Sequence, residues 1–196
     1  MAPEAPLALR DLLWRGRVNS QLLSLFAGAR PSRCADVGAG DGELGDWLEA
    51  LLGSSLRIDG FDADPEQVQR ARRHHRGRAR RFEVADAFDL PVRDGTYALT
   101  GCRALLVHTS DPIRVMAEMR RVTSAGGVLL AIEAVLRPEV WAEQTPTLHP
   151  EVSTLRRVVH AALLEGARRT GVGCWDAADR LGALAAEAGW VDCVLG

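Results

Sequence analysis

A glycine-rich stretch flanked by carboxylates is the part of the sequence best suited to bind a ligand. Residues 34–44 read CADVGAGDGEL, the pattern of a short buried strand, a turn and the start of a helix. The glycines at 38, 40 and 42 allow a sharp turn and let main-chain N–H groups approach a ligand closely. The following helix would direct its N-terminal amides, and the positive end of its dipole, at the same place. We therefore expect a binding site for a small polar ligand here.

The fingerprint of dinucleotide binding, G-x-G-x-x-G, fits this stretch poorly. Counted from Gly38, the third glycine is replaced by Glu43. Counted from Gly40, the pattern is complete through Gly45 but begins two residues past the expected end of the strand. In that frame Asp41 and Glu43 would lie where a pyrophosphate binds, and they would repel it. The acidic loop favours a ligand with cationic groups and no phosphate.

Two further predicted strands also end in carboxylates. Residues 56–61 (LRIDGF) lead into Asp62, which could accept two hydrogen bonds from a ribose diol. Residues 81–85 (RFEVA) lead into Asp86, which could accept a hydrogen bond from an exocyclic amine. Three successive strands would thus supply a glycine turn, an acceptor for a ribose and an acceptor for an aminopurine.

At these residues the sequence resembles the class I S-adenosylmethionine-dependent methyltransferases. The segments DVGAGDG (36–42), GFDADPE (60–66) and VADAFDLP (84–91) follow one another at the spacing of the first three motifs of that family. The most similar branch is the small-molecule type, which includes the ubiquinone and menaquinone biosynthesis methyltransferases. Stretches within 104–129 resemble the same branch, and the resemblance covers residues 10–135.

The resemblance implies an α/β, Rossmann-like fold with a mostly parallel central sheet and helices on both faces. It also implies S-adenosylmethionine as the cofactor, with S-adenosylhomocysteine as its product. The backbone of residues 38–40 would hold the methionine end, and Asp36 would orient either this loop or the ligand amine. Asp62 would bind the ribose, and Asp86 would accept from the adenine amine. The implied cofactor-binding residues are Asp36, Gly38, Ala39, Gly40, Asp62, Ala63, Asp86, Ala87 and Cys102.

A catalytic base is harder to identify from the sequence. His108 is the first candidate, because it follows the predicted fourth strand and an imidazole can change charge near neutral pH. The alternative is that His108 only shapes the pocket or caps the next helix. Glu133 is the second candidate, and His149 and His160 are the third. Methyl transfer from a sulfonium can also proceed without a dedicated base, since the methyl group is already activated.

The chain divides by pattern into three parts of one domain. Residues 1–30 are expected to form a helical cover, residues 31–135 the cofactor-binding core, and residues 136–196 the substrate-cover helices with a last helix–strand unit. That last strand is predicted at 190–195. The resembled fold normally adds one more antiparallel strand, for which no residues remain, so we expect the final strand to be missing. Either the predicted last strand pairs directly with the fifth, or a neighbouring chain supplies the missing strand, or the sequence is shortened. We expect the open edge to favour a homodimer or to lower stability.

Local signals place the helices of the core. Asp64 is expected to cap a helix that has Pro65 at its first position. Ser110 or Asp111 is expected to cap a second helix, which the glycine pair at 126–127 would end.

The most basic stretch, RARRHHRGRARR at residues 70–81, has two interpretations. It could bind nucleic acid, which would favour an RNA methyltransferase. It could instead be the solvated end of a helix, where cations suit the C-terminal dipole. We favour the second, because no aromatic residues interrupt the run, and we expect His74 and His75 to lie on the surface.

Composition is that of a cytoplasmic globular protein, and the family resemblance implies a small-molecule substrate. The formal net charge of −2 gives no general attraction to nucleic acid, and no apolar run is long enough to span a membrane. The four cysteines are scattered and no secretory signal is visible, so neither disulfides nor a metal site is expected. Arginine without any lysine suggests a GC-rich bacterial genome. A noncatalytic cofactor-binding subunit is the third functional alternative.

Overall fold

A parallel five-stranded sheet forms the centre of the computed structural model. The structure describes residues 18–26, 28–133, 158–159, 161–162, 165–166, 169–171 and 173–194. The strands are β1 (Arg33–Val37), β2 (Arg57–Asp62), β3 (Arg80–Val84), β4 (Tyr97–Arg103) and β5 (Thr123–Ile132). Their order in the sheet is β3-β2-β1-β4-β5. The chain runs outward from β1 to β3 and returns to the other side of β1, so the order reverses between β1 and β4, where open α/β sheets bind ligands.

Helices lie on both faces of the sheet, as the sequence predicts. Residues 18–25 are helical and form the described part of α1. The others are α2 (Glu43–Leu52), α3 (Pro65–His74), α4 (Pro112–Val122) and α5 (Ala177–Glu187), and a one-turn 3-10 helix spans Leu106–His108. None of the helices in the described ranges is long and apolar enough to cross a membrane.

The core has one large apolar cluster on each face of the sheet, because successive side chains of the buried strands point to opposite faces. Cys34 packs with the apolar residues of α1 and α2, including Leu22 and Leu48. Its neighbour Ala35 packs with α4 and α5, including Met116 and Leu184. The α/β class with helices on both faces is therefore confirmed.

Two predicted helix caps are also confirmed. The Asp64 side chain accepts a hydrogen bond of 2.8 Å from the Glu66 N–H at the start of α3. The Asp111 side chain accepts one of 3.0 Å from the Arg114 N–H at the start of α4. In both helices a proline occupies the first turn, where its missing N–H leaves no acceptor unpaired.

The predicted boundary between α4 and β5 is wrong. The helix ends at Val122 and β5 begins at Thr123, before the glycine pair that was expected to end the helix. Thr123 has extended backbone angles, and its hydroxyl donates to the Met119 carbonyl at 2.6 Å. The glycine pair instead lies where the pairing of β5 with β4 shifts register, between Tyr97 and Leu99.

The predicted last strand is also wrong for the residues that the structure describes. Residues 190–194 are not paired with the sheet. The Trp190 N–H donates to the Ala185 carbonyl at the end of α5, and its indole N–H donates to the Met116 carbonyl at 3.0 Å. Trp190 is thus held by two helices, and Val191 is 80% exposed.

Much of the predicted N-terminal cover and of the 136–196 region lies outside the described residues. The described part of the N-terminal segment, residues 18–25, is helical as expected. In the amphipathic helix predicted around residues 152–163, Val158 and Val159 are helical and exposed. The helix predicted at 176–188 is confirmed as α5.

A buried polar cluster ties three strands together near their amino-terminal ends. Asp59 on β2 accepts a hydrogen bond of 2.5 Å from the Arg33 guanidinium on β1 and one of 3.0 Å from the Tyr97 hydroxyl on β4. The guanidinium also lies 5.2 Å from the centre of the Tyr97 ring. Burial, reinforced by the Asp59 charge, raises the pKa of Tyr97, so this hydroxyl remains a donor.

We predict that Tyr97→Phe lowers the free energy of unfolding by about 1–2 kcal/mol, because the buried Asp59 carboxylate loses one of its two donors. Urea denaturation followed by circular dichroism measures this change. In an Asp59→Ala background the same substitution should cost much less, since the acceptor is gone. An equal cost in both backgrounds would contradict the proposed role of the hydroxyl.

Candidate functional site

The glycine loop after β1 is held against the end of β2 by main-chain hydrogen bonds. The N–H groups of Gly38 and Ala39 both donate to the Phe61 carbonyl, at 2.8 and 3.0 Å. Gly38, Gly40 and Gly42 all have positive φ angles, of 68°, 55° and 92°. Side chains rarely tolerate this left-handed conformation, so the three glycines are needed for the shape of the loop.

Asp62, at the end of β2, joins this loop to the start of α3. One carboxylate oxygen accepts a hydrogen bond of 2.8 Å from the Gly40 N–H, and the other accepts one of 2.9 Å from the Asp64 N–H. Each oxygen can accept a second hydrogen bond, and the side chain is half-buried beside exposed Ala63. The residue predicted to bind a ribose thus lies within hydrogen-bond distance of the predicted ligand loop.

The end of β3 reaches the same edge of the sheet. The Ala85 N–H donates to the Asp62 carbonyl at 3.0 Å, so β3 follows the course of β2 beyond its last ladder pair. Asp86 is exposed, and its side chain accepts a hydrogen bond of 2.9 Å from the Phe88 N–H in a tight turn. Ala87, between them, is half-buried.

Asp36 is the most unusual carboxylate of the site. It is 1% exposed, and neither side-chain oxygen has a well-formed hydrogen bond to a described residue, although the Gly45 N–H lies near them. Burial raises the pKa of Asp36 to about 7, and the nearby Gly45 amide and the Arg80 charge offset this only in part. A buried acceptor without a partner is costly, so its presence beside a ligand loop is a sign of function.

Cys102 lies deeper than the other predicted cofactor-binding residues. It is fully buried in the apolar cluster on the α4 and α5 face, beside Val37 in the sheet register. Burial raises the pKa of its thiol. Its side chain lies within the core beneath the site, and its role in cofactor binding stays a prediction.

The two leading candidates for a base, Glu133 and His108, lie around the 3-10 helix that follows β4. One Glu133 oxygen accepts hydrogen bonds from the Leu105 and Leu106 N–H groups, at 2.9 and 2.7 Å, and so caps this helix. No described residue donates to its other, buried oxygen, and burial raises the pKa of Glu133. His108 is exposed at the end of the same helix. His149 and His160 lie outside the described residues.

The loop between β3 and β4 is held by a residue that sequence reasoning missed. The Arg121 guanidinium donates to the Val92 and Leu90 carbonyls, at 2.8 and 3.1 Å, and to the Asp94 carboxylate at 2.6 Å. It also pairs with Glu118, which in turn accepts from the Leu90 N–H at 2.6 Å. The spacing of Glu118 and Arg121, three residues apart on a helix, was the available signal.

The basic stretch has a structural role in part, and the expectation that His75 lies on the surface is wrong. His75 is 8% exposed, and its Nε2 atom lies 2.8 Å from the Asp41 carbonyl in the glycine loop. The Arg80 side chain is 1% exposed and pairs with Asp46. His74 and four arginines of the stretch, Arg70, Arg73, Arg76 and Arg81, are exposed, as the solvated-helix interpretation predicts.

No cluster of three or more His, Cys, Asp or Glu side chains suited to a metal ion occurs among the described residues. A cavity of about 390 Å³ lies along the outer edge of β5, between α1 and α5, away from the strand-end carboxylates. The candidate site is therefore the open edge above β1, β2 and β3 rather than this cavity.

Comparison with known proteins supports a methyltransferase fold. Residues 35–131 match a family model described as a methyltransferase domain. The malonyl-[acyl-carrier protein] O-methyltransferase of Hahella chejuensis is 32% identical over 131 residues, which are 64% of this chain and 46% of that protein. The demethylmenaquinone methyltransferase of Thermus thermophilus is 30% identical over 125 residues, 63% of this chain and 54% of that protein.

Solved structures agree on the fold. A crystal structure described as a putative sarcosine dimethylglycine methyltransferase from Galdieria sulphuraria aligns with a TM-score of 0.56 at 22% identity, covering 67% of this chain and 50% of that one. The chain spans about half or less of the length of the curated relatives it matches.

Asp36 makes stability depend on pH in a defined direction. Its pKa is about 7 in the folded protein, against about 3.9 in an unfolded chain. The folded state therefore binds more protons between these values, and its stability is highest at low pH and falls as the pH rises from about 4 to 7, by up to about 4 kcal/mol.

We predict that Asp36→Asn removes this loss and raises the free energy of unfolding at pH 8 but not at pH 4, because an amide carries no charge to bury. Urea denaturation of both proteins at the two pH values measures the effect. Asp89→Asn is the control, since Asp89 is exposed. The prediction fails if Asp36→Asn and the unaltered protein lose the same stability between pH 4 and pH 8.

Proposed function

Because residues 35–131 belong to the methyltransferase domain family, we propose that this chain transfers the methyl group of S-adenosylmethionine to a small-molecule metabolite. The observation that carries the proposal is the hydrogen bond of 2.8 Å between the Gly40 N–H and the Asp62 carboxylate. It joins the predicted site for the methionine end, after β1, to the predicted site for the ribose, at the end of β2.

The donor and acceptor set of the site suits this cofactor. The Asp36 carboxylate, which has no well-formed hydrogen bond to a described residue, is a match for a cationic amine near the glycine loop, and Asp62 retains free acceptor capacity for ribose hydroxyls. Asp86 and the Ala87 N–H, on the β3 side, would recognise the edge of an adenine, and Ala63 would pack on its face. Residues 38–40 would hold the methionine end through their backbone groups.

When bound, S-adenosylmethionine supplies a methyl group on a positively charged sulfur. The residues of the chain need only hold the acceptor in line with that methyl group, exclude water and, for some acceptors, remove a proton. If the acceptor must lose a proton, we assign the exposed His108 as the base that removes it. Glu133, which caps the 3-10 helix, would then act mainly by holding the segment that carries His108.

A small-molecule acceptor is favoured over RNA by the contacts of the basic stretch. Arg72, Arg78 and Arg80 are bonded within the protein, to the Phe82 carbonyl and to the carboxylates of α2. The two curated relatives discussed above are named as methyltransferases of malonyl-[acyl-carrier protein] and of demethylmenaquinone. We further propose a cytoplasmic location, consistent with four free cysteines.

The cofactor is tested by calorimetric titration with S-adenosylhomocysteine. We expect micromolar binding by the unaltered protein and a loss of at least about tenfold for Asp62→Ala, because hydrogen bonds to a charged group are lost. Glu66→Gln, which changes an exposed carboxylate on α3, should bind normally. NADH should not bind. Absence of S-adenosylhomocysteine binding by the folded protein would refute the proposed function.

The open edge of β5 leads to a proposal about assembly. Within the described part of the chain, β5 pairs with β4 on one side and with no strand on the other. Unpaired strand edges favour association. We propose that two copies of the chain pair along this edge, and we expect light scattering to give the mass of a dimer. A monomer at concentrations of tens of micromolar would contradict this.

A further inference from the structure

The glycine loop has a second support, on the side away from β2. The Asp41 carbonyl, at the middle of the loop, lies 2.8 Å from Nε2 of His75 at the end of α3. A carbonyl oxygen can only accept, so Nε2 must carry the proton that is shared. This imidazole N–H reaches the loop from the α2–α3 side of the sheet, where Arg80 Nη1 also lies 3.5 Å from the Gly42 carbonyl.

The orientation of the His75 ring is set by its neighbours. Arg80 Nη1 lies 3.0 Å from Nδ1, and since a guanidinium can only donate, Nδ1 must be the acceptor. In this arrangement the N–H at Nε2 is directed at the loop, and the Asp46 carboxylate lies 3.7 Å from Nδ1. The ring also stacks on Phe82, with 5.3 Å between ring centres and 29° between planes.

Arg80 is in turn held by α2, so the support reaches back to the helix that follows the loop. Its buried guanidinium bonds to Asp46, at 2.9 Å, and to Glu49. The contacts thus run from α2 to Arg80, from Arg80 to the His75 ring, and from this ring to the Asp41 carbonyl. They connect the glycine loop to the helix that follows it through a rigid aromatic ring.

The loop is shaped to admit this ring. A Cβ atom built on Gly42 would lie 2.6 Å from Nε2 of His75 and 3.0 Å from Cζ of Phe82. A side chain at residue 42 would therefore displace the imidazole, apart from the strain at its positive φ. The absence of a side chain at residue 42 thus leaves the space that the His75 ring occupies. A histidine on the surface would not need such a space.

We propose that His75 is a positioning residue for cofactor binding, which acts by fixing the Asp41 carbonyl and with it the neighbouring amides of residues 38–42. This inference rests on the proposed function. It predicts a selective effect: the loop would hold the amino-acid end of the cofactor, so loss of the imidazole N–H weakens ligands that have this end and spares ligands that lack it.

Two substitutions that differ by one methylene test the proposal. In His75→Gln the side-chain amide nitrogen can occupy the position of Nε2 and donate to the Asp41 carbonyl. In His75→Asn the amide is too short to do so. Both remove the ring and the stack on Phe82, so a difference between them reports the hydrogen bond. His74→Asn is the control, since the adjacent His74 is exposed.

Calorimetric titration of each protein uses S-adenosylhomocysteine and 5′-methylthioadenosine, which lacks the amino-acid end. We expect His75→Asn to bind S-adenosylhomocysteine about three- to tenfold more weakly, the range expected for one lost hydrogen bond. His75→Gln and His74→Asn should stay within about twofold of the unaltered protein, and 5′-methylthioadenosine should bind all four proteins alike.

Three results would overturn the inference: equal affinities of the Asn and Gln variants for S-adenosylhomocysteine, an equal loss for both ligands, or the same loss in His74→Asn. If the unaltered protein binds neither ligand, the proposed function itself fails. If the unaltered protein binds S-adenosylhomocysteine but the Asn and Gln variants bind it equally, only the role of His75 is rejected.

A ligand-free measurement covers the case in which binding is altered by a change in folding. Hydrogen exchange of the amides of residues 38–42 should be faster in His75→Asn than in His75→Gln, and equal rates would count against the proposal. If His75→Asn does not fold, His75→Leu replaces it, because leucine has no side-chain donor and keeps an apolar contact with Phe82.

Discussion

The candidate site depends on the backbone of the glycine loop being held by its neighbours. The Phe61 carbonyl accepts two N–H groups of the loop, and the Asp62 carboxylate accepts a third. These contacts exist because β1 and β2 are parallel and in register, with Val37 opposite Phe61. A loop of glycines has high conformational entropy when free, so a preformed site requires that the adjacent strand fix it.

Two buried carboxylates of the same sheet show how stability and binding are separated. Asp59, towards the amino-terminal ends of the strands, is bonded to Arg33 and Tyr97. Asp36, towards the carboxyl-terminal ends, has no well-formed hydrogen bond to a described residue, and burial raises its pKa to about 7. The first carboxylate joins strands, while the second, under the proposed function, keeps its acceptor capacity for a ligand at the cost of stability.

Around this centre, each segment that borders the site is anchored to a helix. Arg121 on α4 holds the loop between β3 and β4 through two carbonyls. Glu133, which follows β5, caps the 3-10 helix that carries His108. His75 connects the glycine loop to the end of α3. Such contacts reduce the freedom of loops before a ligand binds, which is the condition for accurate positioning in group transfer.

The sequence by itself determined the features that depend on neighbouring residues. Runs of apolar residues predicted the strands, and Asp64 and Asp111 predicted the helix caps. The order of the glycine turn and the carboxylates along the chain predicted which strand ends meet at the site. Each of these signals is local, because a cap or a strand end is defined within a few residues. The α/β class and the family resemblance followed from the same signals.

The tertiary structure alone decided which polar residues are buried and which short segments join the sheet. His75 lies in a basic run that is otherwise largely exposed, yet it is buried against the glycine loop. Its hydrogen-bond partner there, the Asp41 carbonyl, is 34 residues away along the chain, so the run itself does not reveal the burial. Residues 190–194 have the composition of a strand, but Trp190 bonds to α4 and α5 instead. Burial and strand pairing both require a partner distant in sequence, and a local pattern cannot specify one.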